Sequence, residues 1–434
     1  MIGRWLQYAK NLPGWRSKEK YLLMSCDDFG AVRLADATAR EYLVGKGLPM
    51  DLFPFDRYDT LESVEDLQAL RETLLSVKDV EGRGAVMTGF GLAANIDFER
   101  MRSEGYAQFR NEPVSRTFER LGKSDAWEMM QQMRMDGNLV MEFHGREHVH
   151  VGWLMRRLRE KNPQLLACME VDSLAGLEYG KTEGVDYTAS FAYDTEEEIP
   201  DLAGILWDGL QLFEREWMDK PRHFTPPVMR YPRALDSLLL EAGIAYLDRS
   251  MQTQEWDHQA KKFRKHWYFL NQRLKSDRRI PAEWDIPPDW GRSSNSTLNL
   301  SGELSASGVN NSRENSRADT VSRNKDAMRV GTEPPLVDGS AKHLRAIVRN
   351  CFFEPMFNPD MDWVDHTMAQ ISAAFAVGKP ANIAMHRMSF VGGISPAVRE
   401  RGNRDLKEIL RRVKQQWPEV RFVSTRELGG IMNP

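Results

Sequence analysis

Lys20-Tyr21-Leu22-Leu23-Met24-Ser25-Cys26-Asp27-Asp28-Phe29-Gly30 is a short apolar run that closes on two carboxylates. The run predicts a strand over Lys20 to Cys26, with Asp27 and Asp28 at its carboxyl end. The same design returns twice: Leu139 to Phe143 precedes His144, and Ala381-Asn382-Ile383-Ala384-Met385 precedes His386. Longer helical patterns lie between such runs, in Leu61 to Val77, in Leu235 to Ala242 before Gly243, and in Arg404 to Val413, which leads through Trp417-Pro418 to a strand over Val420 to Val423. Strands alternating with helices predict an α/β fold, a mainly parallel sheet with helices outside. Polar, metal-type residues after three separate apolar runs are what a barrel presents at the carboxyl ends of its strands, where active sites gather.

The chemistry of those endings is specific. His144-Gly145-Arg146-Glu147-His148 supplies two imidazoles, which a helical turn would place on one face with Cβ atoms roughly 5–6 Å apart. A carboxylate and two imidazoles can hold a divalent cation and leave positions open for water and a substrate oxygen, while a second carboxylate takes the water's proton. Asp28, His144 and His148 are the expected ligands and Asp27 the expected base. His150 is the alternative ligand, because His148 and His150 would share a face if this stretch were extended. An acidic pair after a strand also caps helices and shapes turns, which is the plain reading of Asp27 and Asp28. Met129, Met130, Met133 and Met135 read as helix-face packing.

At 434 residues the chain can hold one large barrel or two to three average domains, and 41% hydrophobic residues suffice for a sizeable core. With 59 basic against 63 acidic residues, no global field draws it to nucleic acid or to an anionic membrane surface. A nucleic-acid binder would have to use the basic, aromatic segment 261–279, whose Trp267, Tyr268 and Phe269 are otherwise expected in a half-packed surface element. The first residues do not read as a secretory signal, no stretch is apolar enough to span a bilayer, and Cys26, Cys168 and Cys351 show no paired spacing; a cytoplasmic setting is expected. In 287–335 Ser, Asn, Gly and charge replace periodic apolar residues, which predicts a disordered insertion. Because core-like sequence resumes at Leu344, 1–286 and 336–434 are expected to form one domain, with a true domain boundary as the alternative.

These motifs resemble the polysaccharide deacetylases of the NodB-homology type, within the wider glycoside hydrolase/deacetylase superfamily. That family places a base Asp and a ligand Asp in a first motif, His-x-x-x-His ligands in a second, and a late His as general acid. The resemblance assigns these roles to Asp27, Asp28, His144 with His148, and His386. It looks closer still to the poorly characterised polysaccharide (de)acetylases, through Arg349-Asn350-Cys351-Phe352-Phe353-Glu354-Pro355, His386-Arg387-Met388-Ser389-Phe390-Val391-Gly392-Gly393 and Phe422-Val423-Ser424-Thr425-Arg426-Glu427-Leu428. Asp-Asp-Phe-Gly and Glu142 to His150 are also similar to the cytoplasmic chito-oligosaccharide deacetylases. The implied fold is a distorted (β/α) barrel of about seven strands. The implied activity is removal of an N- or O-acetyl group from a sugar or polysaccharide with one divalent ion, zinc or another transition metal. Arg349, Glu354, Arg387 and Arg230 become candidates for binding the sugar or orienting these groups. Their plain alternatives are a buried Arg349–Glu354 pair and an ordinary strand-end His386. Two positions depart from the family: Gly145 stands where Ser or Thr is usual, and the Arg-Pro-Pro-aromatic-Gly motif is reduced to Thr225-Pro226-Pro227 with Arg230 nearby. A catalytically inactive sugar-binding module and a glycoside hydrolase on the same barrel are the rival functions.

Overall fold

Strand β1, Tyr21–Phe29, is buried at all nine positions, as a strand must be when side chains pack on both of its faces. A computed structural model places it centrally in the main sheet. The structure describes residues 14–177, 186–248 and 344–432, with Tyr8, Asn11, Leu12 and the backbone of the strands Gln252–Asp257 and Lys262–Trp267. The expected insertion 287–335 lies outside the described residues, as do the side chains of 261–279.

The sheet continues through β2 (Met87–Leu92), β3 (Leu139–Gly145), β4 (His223–Phe224), β5 (Tyr246–Leu247), β6 (Arg345–Ala346), β7 (Cys351–Phe352), β8 (Ala381–His386) and β9 (Arg421–Phe422). Its order is β6-β5-β4-β3-β2-β1-β8-β7, with β9 paired to the start of β1. Every one of these pairings is parallel. The result is an α/β half-barrel, a curled parallel sheet with helices around it, as expected, though its eight-strand path exceeds the expected count. All three anticipated strands run further than their apolar letters: β1 includes both aspartates, β3 includes His144, and β8 includes His386. Burial allows this, because polar side chains inside a barrel mouth can bond to one another instead of to water.

The helix Val64–Leu75 is shorter than its apolar pattern because Ser63 caps it, in a capping box with Asp66. Leu67, Leu70 and Leu74 turn inward to one large core that also takes Met24 and Phe29 of β1 and Met130 and Met133 of the helix Ser124–Met135. Met135 is exposed. The expected helix Arg404–Val413 extends over Pro396–Gln416. Its first turns carry the period on Val398, Gly402 and Leu406 amid charged letters that hide it.

Gly402 is there because another backbone needs the space: a Cβ would lie 1.8 Å from the Ser389 carbonyl oxygen, in the turn Arg387–Phe390 that follows His386. Gly402→Ala, which would ordinarily stabilise a helix, is expected to destabilise this protein by about 1–3 kcal/mol through overpacking, read by urea unfolding. Among the described residues no helix is long and apolar enough to cross a membrane. Cys26, Cys168 and Cys351 are buried free thiols.

Candidate metal centre

Neighbouring residues of a regular strand point to opposite faces, yet Asp27 and Asp28 both serve the sheet's carboxyl edge. The β1–β2 register slips between Cys26 and Phe29, and Asp28 has φ +75°, a left-handed conformation that Asp tolerates better than most residues. The segment beyond is held firmly. Glu62 accepts from the Gly30 amide at 3.1 Å, Asn95 bonds to the Gly30 carbonyl and the Val32 amide, and Arg387 donates to the Ala31 carbonyl.

Asp28, His144 and His148 converge, with one donor atom from each within 4.8 Å of the others. The Nε2 atoms of His144 and His148 lie 3.1 and 3.3 Å from the same atom, Asp28 Oδ1. His144 Nδ1 donates to the Thr225 carbonyl at 2.7 Å, since a carbonyl can only accept. With its proton on Nδ1, His144 would turn the Nε2 lone pair toward Asp28 Oδ1, an arrangement that a cation between them would make favourable. These residues fit a divalent ion. Burial holds His148 below the ordinary histidine range, although Asp28 opposes it, and so favours the neutral imidazole a metal requires. For Asp28, burial is outweighed by His148, His144 and His386, and its carboxyl lies well below the usual range.

The two histidines do not share a helical turn. After Gly145, at φ +146°, residues 146–150 form an irregular loop. Glu147 is turned away from the centre onto Arg146, which also pairs with Asp208 at 2.9 Å. His150 caps the helix Val151–Arg159, its Nδ1 accepting from the Trp153 amide at 3.0 Å. His150→Ala is accordingly expected to cost about 1 kcal/mol in thermal or urea unfolding, as a lost cap does.

On the other side of β1, Asp27 is the register partner of His386 on β8. Arg349 grips Asp27 with two parallel bonds, Nη1 to Oδ2 at 2.6 Å and Nη2 to Oδ1 at 2.8 Å. Its Nε donates to Asp248 at 2.7 Å, its Nη2 to Thr225 Oγ1 at 3.0 Å, and its guanidinium sits 4.8 Å from the Phe90 ring centre. Despite burial, Arg349 and His223 hold the Asp248 carboxyl down at about 2. His386 Nδ1 bonds to Glu354 Oε1 at 2.6 Å, and its Nε2 points toward Asp27 Oδ2 at 3.9 Å. Burial acts against the imidazolium, but Glu354, Asp28 and Asp27 push its pKa up to about 10. Burial raises Glu354.

The remaining candidates divide. Arg387 is fully buried and pairs with Asp59 at 3.1 Å and Glu62 at 2.8 Å, so it can orient the loop behind Asp28 but offers no surface to a sugar. Burial, with Asp28 and Glu62 nearby, raises Asp59 to about 6. Arg230 is exposed after a loop in which Val228 and Met229 both have positive φ. Asp248 is the residue the sequence reading missed; its signal was the short apolar run Ile244-Ala245-Tyr246-Leu247 before it. A cavity of about 30 Å³ opens beside Asp28 and His148, lined also by Arg33, Asp59 and Tyr187.

No family model matches this chain, and no curated protein matches it. Solved structures give distant likenesses. A Mycobacterium smegmatis protein provisionally assigned as a polysaccharide deacetylase is 11% identical, with 96% of this chain and 91% of that one covered, at a TM-score of 0.39. A 4-alpha-glucanotransferase of Thermococcus litoralis is 10% identical over 94% of this chain and 40% of its own, at 0.38. A GH57-type branching enzyme of Pyrococcus horikoshii is 8% identical over 96% and 71%, also at 0.38.

Proposed function

We propose that this chain is a metal-dependent hydrolase that removes an acetyl group from a sugar. The observation that carries the reading is the convergence of two imidazole Nε2 atoms on one Asp28 oxygen, with an acid and a base candidate beside them. The charge balance supports it. Among the described residues, Asp27, Asp28, Asp248 and Glu354 gather around Arg349 and His386, with His144, His148 and His223 beside them, a carboxylate-rich cluster that favours a divalent cation.

Asp28, His144 and His148 would hold the ion, which when bound would supply the Lewis acidity that polarises an acyl carbonyl and acidifies water. The protein's own groups do the rest. Asp27, fixed in one orientation by Arg349, takes the proton of the attacking water. His386, whose Nδ1–H is committed to Glu354, donates from Nε2 to the departing amine or alkoxide. Acid and base are thus split between neighbouring strands, and the Glu354 carboxylate on Nδ1 favours the protonated form of His386. The cavity beside Asp28 and His148 is large enough for about two water molecules, a size suited to a short acyl group. The sugar class rests on the motif resemblance.

The test is acetate release from a panel of N-acetylated and O-acetylated oligosaccharides, before chelation, after it, and after metal is restored. Release that stops with chelator and returns with metal is expected; release indifferent to chelator would point to a glycoside-hydrolase-type site that works through carboxylates alone.

A further inference from the structure

Pro355 follows Glu354 and opens a turn in which the Phe357 amide bonds back to the Glu354 carbonyl at 3.1 Å, the position where proline favours such a turn. One turn thereby sets both the carboxylate that bonds His386 and an aromatic ring two residues after the proline. Phe357 is 48% exposed. It is nevertheless fixed: its ring packs edge-on against Phe55 at 5.4 Å, and Phe55 packs edge-on against His386 at 5.0 Å. Phe55 is seated on Met356, Met388 and Val398 and carries the Arg33 guanidinium 5.2 Å from its ring centre. An ordered aromatic pair in contact with a half-open acid residue differs from a scattered surface phenylalanine, because here exposed apolar area adjoins the polar pair His386 and Glu354.

The geometry points to Phe357, supported by Phe55, as a stacking platform for the pyranose ring of the substrate. This rests on the deacetylase reading above and extends it to the sugar's position. In acyl hydrolysis the group that receives the acid's proton is the leaving group, here the sugar, so the ring must lie on the His386 side. The acyl group would occupy the small, partly open cavity beside Asp28 and His148, and the ring would lie outside it. A pyranose presents one face of polarised C–H bonds, the complement of the negative face of an aromatic ring.

The experiment uses the metal-loaded full chain with N-acetylglucosamine oligomers and O-acetylated xylo-oligomers as probes. Binding is measured by calorimetry and acetate release by steady-state kinetics, for the parent, Phe357→Ala and Phe357→Trp. The alanine variant is expected to bind the preferred probe about 10- to 100-fold more weakly, with the loss in KM rather than kcat, and the tryptophan variant to restore it. Binding and KM unchanged in Phe357→Ala would overturn the platform while leaving the deacetylase reading standing. Equal losses in both variants, with a shifted pH profile of kcat, would make the ring a support for Glu354 and His386 and also overturn it. Sugar binding that depends on Phe357 without any acetate release would retain the platform and discard the deacetylase reading. No sugar binding by the parent would overturn the platform outright.

Discussion

Asp27→Asn is expected to slow acetate release by about 10²- to 10⁴-fold while metal content stays at the parent level. Asparagine keeps the shape of the side chain and its amide oxygen can still accept from one guanidinium nitrogen, but the amide cannot take a proton from water. The other half of the Arg349 fork would meet an NH₂ group, donor against donor, and Arg349 would lean toward Asp248, to which it is already bonded at 2.7 Å. None of this reaches Asp28, whose partners are His144 and His148. Turnover and metal content, measured on the same samples, separate the roles of the adjacent aspartates. Loss of metal with Asp27→Asn would put Asp27 among the ligands, and unchanged turnover would remove it as the base.

Arg349→Met is expected to cost about 3–5 kcal/mol of stability at neutral pH, because it strands two buried carboxylates that share one cation. That is a large part of the roughly 5–15 kcal/mol that holds a typical domain together. The pH dependence has a definite sign. With Arg349 present, the folded Asp248 pKa of about 2 lies below its ordinary 3.8, so the stabilisation is full above pH 3.8 and is lost as pH falls through 2. In the variant, burial acts on Asp248 without that counter-charge and raises its pKa, so acid relieves the variant while it weakens the parent. The gap between the two in urea unfolding should therefore shrink between about pH 4 and pH 2. A gap that stays constant or widens over that window would contradict the shared-cation account.

The sequence showed the three central strands and the residues at their ends because each ending sets charge against an uninterrupted apolar run: Asp27 and Asp28, His144, His386. Other features were beyond its reach for physical reasons. Strands β4 to β7 are two residues long, too short to show any periodicity, whereas the equally short β9 falls within the strand expected over Val420 to Val423. Asp28 joins the site through a register slip and a positive φ, which no spacing of letters encodes. The loop 146–150 takes its path from Glu147, Arg146 and Asp208, the last about sixty positions away. The arginines were indistinguishable as letters. Arg349 emerges on the Asp27 side of the centre and Arg387 behind Asp28, a difference made by long-range partners, Asp248 for one and Asp59 with Glu62 for the other.

The proposed chemistry requires that Asp28, His144 and His148 hold one divalent ion. Elemental analysis of the purified chain, beside Asp28→Ala, His148→Ala and His150→Ala, tests it most directly. Close to one equivalent of a divalent transition metal is expected in the parent and in His150→Ala, and its loss in the other two variants. A parent that takes up no metal after reconstitution, or metal retained in full by both Asp28→Ala and His148→Ala, would contradict it.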